Sequence, residues 1–445
     1  MAIGRWFMNR LERAGVASAA ERAAVLWSFI YFFCLLASYF VLRPLRDEMG
    51  IAAGRNILQW LFMATFVVML LAAPAYAAVW ARFSRQKFLH LIYHFFAFNL
   101  AIFWLLLWLD VSKIWVARVF FVWVSVFNLF AVSVFWSFMA DIFRTDQGKR
   151  LFGMIAAGGT AGTLLGSSIT VALASTIGVL NLLIVAALLL EGAVYCASKL
   201  EIAAAGFRNG QSGGGPADNT DSAPGGGIMA GFSLLLSSRY LAGIGVWVIL
   251  LSLAGTFLYF IQRDVVAAAS SDPAVRTQIF AVMDLAANLL TLLLQAFVTG
   301  KLIERIGAGA SAAILPLIFA IGFAALAAAP VLAVIIAFQA LQRTANFAFS
   351  NPAREIFFTS VGREEKYKAK NVIDTVMFRG GDVGWAFVFS GLRGLGMNIA
   401  AIALVAVPVA LVWSGVALWL GREQQRRAAE QGMAANAAAV GSRNV

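Results

Sequence analysis

The residues able to do chemistry gather in two passages. The first is VLRPLRDEMG, Val41 to Gly50, where Arg43 and Arg46 stand one helical turn apart around Pro44, with Asp47 and Glu48 just beyond. The second is Asn351 to Gly384, NPAREIFFTSVGREEKYKAKNVIDTVMFRGGDVG, the most charged stretch of an otherwise apolar chain. From Val372 it turns apolar again, yet it carries Asp374, Arg379 and Asp382 inside that run. Ionisable groups at membrane depth cost on the order of 3 kcal/mol each and are kept where they face a cavity or one another. Arginine forks match carboxylate and phosphate geometry, so the chemistry implied is recognition of an anion. For Arg43 and Arg46 the competing reading is an interfacial helix end whose arginines reach lipid headgroups.

Helical spacing then groups further polar residues, because positions three and four apart share a face. Ser252, Thr256, Tyr259 and Arg263 form one stripe; Asp284, Asn288, Thr291 and Gln295 a second; Gln339, Arg343, Asn346 and Ser350 a third; Arg379 and Asp382 lie one turn apart. In the first half of the chain Asn128, with Ser125, and Glu191 are weaker members of the same class. Amides and hydroxyls in such stripes also serve helix–helix hydrogen bonding. The charged members favour a water-lined pathway, with Arg379–Asp382 and Arg343–Asp284 pairing as the structural alternative. The candidate solute-binding set is therefore Arg43, Arg46, Arg263, Arg343, Arg379, Asn128, Asn288, Asn346 and Tyr259. The candidate coupling or gating set is Asp47, Asp284, Glu355, Lys370, Asp374 and Asp382, with the charged loop from Arg354 to Lys370 gating through ion pairs.

The elements that position these residues must be membrane helices. Of 445 residues 61% are hydrophobic and 13% charged, and the mean hydropathy is +0.83; soluble domains hold roughly 45 to 50% apolar residues. A spanning helix takes about 20 mostly apolar residues. Six such runs read Ala24–Leu42, Ile57–Trp80, Phe88–Leu109, Ile114–Phe138, Leu151–Thr176 and Val179–Ala197; six more read Tyr240–Gln262, Val275–Thr299, Gly309–Ala328, Val331–Ser350, Val372–Leu392 and Met397–Leu420. Between them, residues 199–230 are rich in Gly and Ser, as a flexible linker is. The predicted organisation is a cytoplasmic tail (1–23), a six-helix half (24–198), a flexible cytoplasmic linker (199–230), a second six-helix half (231–420) and a basic, irregular cytoplasmic tail (421–445).

The net charge of +12 belongs to this topology and not to nucleic acid. Lysine and arginine gather in alternate loops (Arg82, Arg85, Lys87; Arg144, Lys149, Arg150; Lys301, Arg305; Arg363 to Lys370), which places both termini in the cytoplasm by the positive-inside rule. The Arg-rich start leads into a full-length span with no small-residue cleavage site, so no cleavable signal is expected. Cys34 and Cys196 lie in apolar runs and read as packing residues. His90 and His94 share a helix face but have no third ligand nearby, and no Walker loop, HExxH or nucleophile elbow occurs. Neither a metal, a cofactor nor an enzyme activity is expected.

The two halves echo each other. Tyr39, Phe40 and Arg43 recur as Tyr259, Phe260 and Arg263, and Gly158, Gly159 and Gly162 recur as Gly380, Gly381 and Gly384. Gly158, Gly159, Gly162 and Gly166 lie inside a span and predict close helix packing of the small-xxx-small kind. An all-α integral membrane protein of twelve helices in two parallel six-helix repeats is the layout of a major facilitator transporter, which holds its solute between the halves near the midplane.

Two motifs carry a family resemblance. VLRPLRDEMG resembles the RDTKD passage that ends the first span of the nucleotide transporter family, the ATP/ADP translocases of plastids and obligate intracellular bacteria. NPAREIFFTSVGREEKYKAKNVIDTVMFRGGD resembles that family's DPxKEMxYIPL...KGKAAIDVV...R passage. Arg43, Asp47, Pro352, Glu355, Lys370, Ile373, Asp374 and Arg379 match; Arg46 and Arg354 stand for lysines, Pro44 for an acidic residue and Ala369 for a glycine. The region of Gly381 and Asp382 also departs, since the family has a lysine followed by small residues there. The resemblance implies secondary transport of a small anionic solute, a nucleotide or another phosphorylated or carboxylated metabolite, across a bacterial inner membrane by alternating access, with exchange as one mode and a monomer as one admissible state. The alternatives are a proton-coupled transporter of a non-nucleotide compound such as a siderophore or amphipathic molecule, or a non-transporting membrane sensor or assembly partner.

Overall fold

The computed structural model describes residues 19–54, 56–80, 85–143, 145–208, 233–235 and 237–441. The tail up to residue 18, the loop cations Arg82 and Arg144 and linker residues 209–232 lie outside the described residues, as do the side chains of Arg85, Lys87, Lys149 and Arg363. Among the described residues the chain is helices joined by short turns, as a backbone at membrane depth must be helical to satisfy its own N–H and C=O groups. The helices are α1 (Ala19–Ala52), α2 (Leu58–Trp80), α3 (Arg85–Trp108), α4 (Lys113–Ile142), α5 (Thr145–Leu173), α6 (Leu182–Arg208) and α7 (Arg239–Ala269). They continue as α8 (Pro273–Phe297), α9 (Thr299–Ala328), α10 (Leu332–Ala345), α11 (Asn351–Phe357), α12 (Arg363–Asn371), α13 (Phe378–Gly394) and α14 (Ile399–Gly441).

Among the described residues, ten helices are long and apolar enough to cross a membrane. The other two expected spans differ from these. α2 contributes an apolar helix over Leu58–Ala72, and the charged eleventh run is a π-helix, Val372–Met377, leading into the 17-residue α13.

The chain divides into two compact units, residues 1–220 with 270–285, and residues 221–269 with 286–445. The first contains α1 to α6 and the start of α8. At its centre α1 packs against α4, α5 and α6. Gly158, Gly162 and Gly166, one turn apart on α5, face the carbonyls of Phe29, Phe33 and Ala37 on α1; a Cβ at any of them would run into that oxygen. The expected small-residue packing is thus a direct backbone approach of α5 to α1. On its other side α1 stacks Phe32 on Phe135 of α4, centroids 4.1 Å apart, while the Tyr31 hydroxyl donates to the Tyr93 hydroxyl at 2.7 Å.

One boundary needs correction here. α1 does not end at Leu42 but continues through Pro44 to Ala52, so Arg43, Arg46, Asp47 and Glu48 all lie on a helix, the carboxylates buried. The start of α8 is set by local chemistry. Asp272 Oδ1 accepts the Ala274 N–H at 2.9 Å, and Pro273 takes the first helical position, where its missing N–H costs nothing.

In the second unit α7 packs against α13 and α14, and α9 against α14. Gly309 and Gly421 meet backbone to backbone at the α9–α14 contact. α10 runs through a π-helix, Asn346–Ser350, directly into α11; a 3-10 turn, Phe358–Ser360, leads on towards α12. The passage from Arg354 to Lys370, expected as a loop, is therefore a helical hairpin flanked by two π-helices, an uncommon geometry that concentrates at functional sites.

The expectation of an irregular tail after Leu420 is also corrected, since α14 continues to Gly441. Glu423 pairs with Arg426 and Arg427 at 2.8 and 3.1 Å, Arg427 lies over the Tyr240 ring at 4.7 Å, and Gln431 donates to the Ser360 carbonyl at 3.2 Å. Pairs at i+3 and i+4 support exposed helix, and the two contacts anchor it.

Candidate functional site

The first unit holds a compact ion network built by α1 and the first turns of α8. Because α8 starts at Pro273, Arg276 falls in its opening turn. Its guanidinium forks onto Glu48, Nε to Oε2 at 2.7 Å and Nη2 to Oε1 at 2.5 Å, while Nη1 donates to the Ser270 and Ser271 carbonyls at 3.2 Å. Two turns further along α8, Asp284 faces Arg43 at 3.7 Å. Arg46 lies 3.8 Å from Asp47 and stacks on the Phe121 ring of α4 at 4.2 Å.

Asp47, Glu48 and Asp284 are 7%, 2% and 3% exposed, so these carboxylates have left water. Buried charge of this kind is tolerated only when paired and hydrogen-bonded. Among the described residues, three arginines meet three carboxylates here in opposed pairs. Its tightness is uneven: Glu48–Arg276 is a bidentate clamp, whereas Arg43–Asp284 and Arg46–Asp47 are long contacts. Asn128 is half-buried on α4, seven residues and hence two turns from Phe121, on the face that carries the ring under Arg46.

In the second unit, the stripe on α7 meets α13. Ser252 and Thr256 both donate to Asp382 Oδ1, at 2.7 and 3.4 Å, and Arg379 approaches Asp382 Oδ2 at 3.7 Å. Gly381 makes this possible, since a Cβ there would stand 2.9 Å from the Ser252 hydroxyl. At the far end of α7, Arg263 lies beside Asp264 at 3.9 Å, and Arg393 reaches Asp264 from α13 at 3.6 Å. Tyr259 is half-buried one turn before Arg263.

The helical hairpin is pinned by two nested ion pairs. Lys370 Nζ sits 2.6 and 2.7 Å from the Glu355 oxygens, and Arg354 pairs with Asp374 at 3.2 Å. Residues fifteen and twenty apart in sequence are thereby tied from α11 to α12 and to the π-helix that follows it.

A third group in the second unit is polar and uncharged apart from Arg343. Thr344 donates to the Ala287 carbonyl and Gln295 to the Phe347 carbonyl, which lays the latter part of α8 along the π-helix. In that zone Asn288 Nδ2, Thr291 Oγ1, Asn346 Oδ1 and Ser350 Oγ are buried polar atoms without a hydrogen-bond partner among the described residues. Such atoms are few in folded proteins and ask for a polar occupant. Arg343 stands at the junction, one turn before Asn346. Nearby, Gln339 bonds Gln262, and Gln342 donates to Gln339 at 2.7 Å.

Sequence reasoning missed Arg276 and the Asp264–Arg393 pair. Arg276 was findable, because it stands eight residues before Asp284 and so lies two turns back along the very stripe drawn through Asp284 and Asn288. Asp264 gave no signal beyond its charge, since its partner lies 129 residues away in sequence.

A bundle of membrane-length helices with buried, hydrogen-bonded ions at their centres is the architecture of a polytopic membrane transporter. Solved structures share the fold over nearly the whole chain. The nucleoside transporter NupG superposes with a TM-score of 0.60 at 14% identity, covering 92% of this chain and 99% of that one. An auto-inhibited POT-family peptide transporter gives 0.59 at 14% identity over 91% and 97%. A bacterial homologue of the human lysosomal transporter Spinster gives 0.56 at 14% over 92% and 99%. The chain belongs to the TLC ATP/ADP transporter family, whose model matches residues 102–424. It is 33% identical over 94 residues to ADP,ATP carrier protein 2 of Chlamydia pneumoniae, an alignment spanning 20% of this chain and 17% of that carrier's length.

Proposed function

We propose that this protein is a secondary transporter of the bacterial inner membrane, with both termini cytoplasmic. It carries a small anionic solute, nucleotides first among phosphorylated or carboxylated candidates, by alternating access and with exchange as its mode. One chain is sufficient for the cycle. The observation that carries the reading is the network of Arg43, Arg46 and Arg276 with Asp47, Glu48 and Asp284.

An anion entering such a network competes with the carboxylates for the arginines. It displaces the long contacts first, Arg43–Asp284 at 3.7 Å and Arg46–Asp47 at 3.8 Å, while the bidentate Glu48–Arg276 clamp stays closed. Arg43 and Arg46 are thus the solute-binding arginines and Asp284 the carboxylate released for gating. In the second unit Arg379 plays the same part against Asp382, and Arg263 is held for it by Asp264. The orphan polar atoms of Asn288 and Asn346 suit the hydroxyls or ring nitrogens of a nucleoside-sized solute. Asn128 in the first unit and Tyr259 in the second, each half-buried, complete the solute-binding set we propose. Glu355, Lys370, Arg354 and Asp374 close the hairpin when paired.

The test is thermal stabilisation of the purified protein by nucleotides, sugar phosphates, di- and tricarboxylates and carboxylate siderophores. A ligand at 100 times its dissociation constant adds about 2.7 kcal/mol to stability. The expected outcome is a shift with an anion that disappears in Arg46→Ala and Arg379→Ala; a response to cations alone would overturn the reading. The burial of Asp284, 3% exposed, favours one rival, proton-coupled transport of a non-nucleotide compound. Asp284→Asn separates the two: under anion exchange it slows uptake without changing its pH profile, whereas under proton coupling it abolishes the pH dependence.

A further inference from the structure

The first unit carries a groove on its outer surface between α2, α3 and α4, about 730 Å³ in volume. Its walls are hydrocarbon and aromatic, among them Trp60, Ala64, Phe95, Val122 and Val126. At one end it meets Arg118, the one cation among the described residues of its lining. Arg118 lies five residues into α4, about 7.5 Å along the axis from Lys113. Its Nε donates to the Ala53 carbonyl at 3.2 Å, and its guanidinium lies over the Trp115 ring at 4.6 Å. It forms no ion pair with a carboxylate among the described residues. Trp60 and Trp115, 52% and 63% exposed, stand at the same end, as indole rings do at the headgroup level of a bilayer.

We propose that this groove is a specific site for an anionic phospholipid, its acyl chain in the groove and its phosphate on Arg118. The volume is that of a small-molecule pocket. An apolar channel ending in one arginine, at interfacial depth, matches a molecule with a hydrocarbon tail and one negative head. The guanidinium is already oriented by Ala53 and Trp115, which leaves its terminal nitrogens free to fork onto phosphate. The same α4 presents Phe121 beneath Arg46 three residues later, so an occupant of the groove braces the helix that supports the ion network.

The experiment uses the full chain in detergent and measures lipid retention by native mass spectrometry together with thermal stability. The probes are phosphatidylglycerol, phosphatidylcholine with the same acyl chains, and glycerol 3-phosphate. Phosphatidylglycerol is expected to remain bound and stabilise the protein, with the other two at least about tenfold weaker, the scale of one lost charge-assisted hydrogen bond. Arg118→Gln should weaken it by a similar factor and Arg118→Lys by less. Ala64→Trp fills the groove while leaving Arg118 and its bond to Ala53 in place, so its expected loss of phosphatidylglycerol cannot come from a broken turn. Equal binding of phosphatidylcholine overturns headgroup recognition. Equal binding of glycerol 3-phosphate, or retention in Ala64→Trp, overturns the groove.

Discussion

Arg276 and Glu48 show how much a single pair can hold. Both are taken out of water, and their mutual fork is completed by two carbonyls, so neither has an alternative partner of equal quality. Breaking a buried pair by removing one member costs about 3–5 kcal/mol, because the other charge is left buried. Arg276→Ala should therefore lower the thermal midpoint sharply and abolish transport with it. The double variant Arg276→Met with Glu48→Leu should recover much of the stability, but not the transport, if the clamp positions α1. Arg43→Ala releases a longer contact but also leaves Asp284 buried, so it should depress solute affinity with a smaller loss of stability than Arg276→Ala.

The elements explain why charge so dense does not unfold the bundle. The glycines of α5 let its backbone lie on the carbonyls of α1, and this close approach leaves no room for a side chain. Gly162→Val should cost about 1–3 kcal/mol, the range for overpacking a filled interior, and reduce the yield of folded protein. The hairpin of α11 and α12 works differently, since its pairs lie at the surface, with Glu355 exposed. Exposed pairs contribute about 0.2–1 kcal/mol, so Lys370→Glu should barely alter stability. If the hairpin gates, that change should still impair uptake into proteoliposomes, and adding Glu355→Lys should restore it. The composition of this passage announced ion pairs; the two π-helices that set its register have no compositional signature. A π turn arises when packing absorbs one extra residue, which only the neighbours of a helix can dictate.

For the molecule as a whole, the membrane topology is testable with the protein's own geometry. Twelve crossings place Ser112, between α3 and α4, outside, whereas a count of ten without α2 and α13 places it inside. With Cys34 and Cys196 replaced, a cysteine at Ser112 should react with impermeant reagent from the outside, and one at Gly362 only after permeabilisation. Reconstituted protein should also take up labelled anion faster when the same anion is preloaded inside, the signature of exchange; uptake indifferent to preloading would exclude that mode.

What the sequence alone determined is everything that depends on local composition and period. Long apolar runs must become membrane helices, because bare backbone cannot face hydrocarbon. A period near 3.6 sorts Asp284 with Asn288 and Ser252 with Thr256 before any partner is known. The polar stripes were legible in this way, though Arg276 was not placed on its stripe, and the family resemblance rested on the two charged passages. Only the tertiary structure decided who meets whom: Arg43 with Asp284, Arg276 with Glu48, Asp382 with two hydroxyls of α7, Arg393 with Asp264. These pairings join residues from 126 to 241 positions apart. The choice of partner is set by which helix faces pack together, and that depends on every side chain between them.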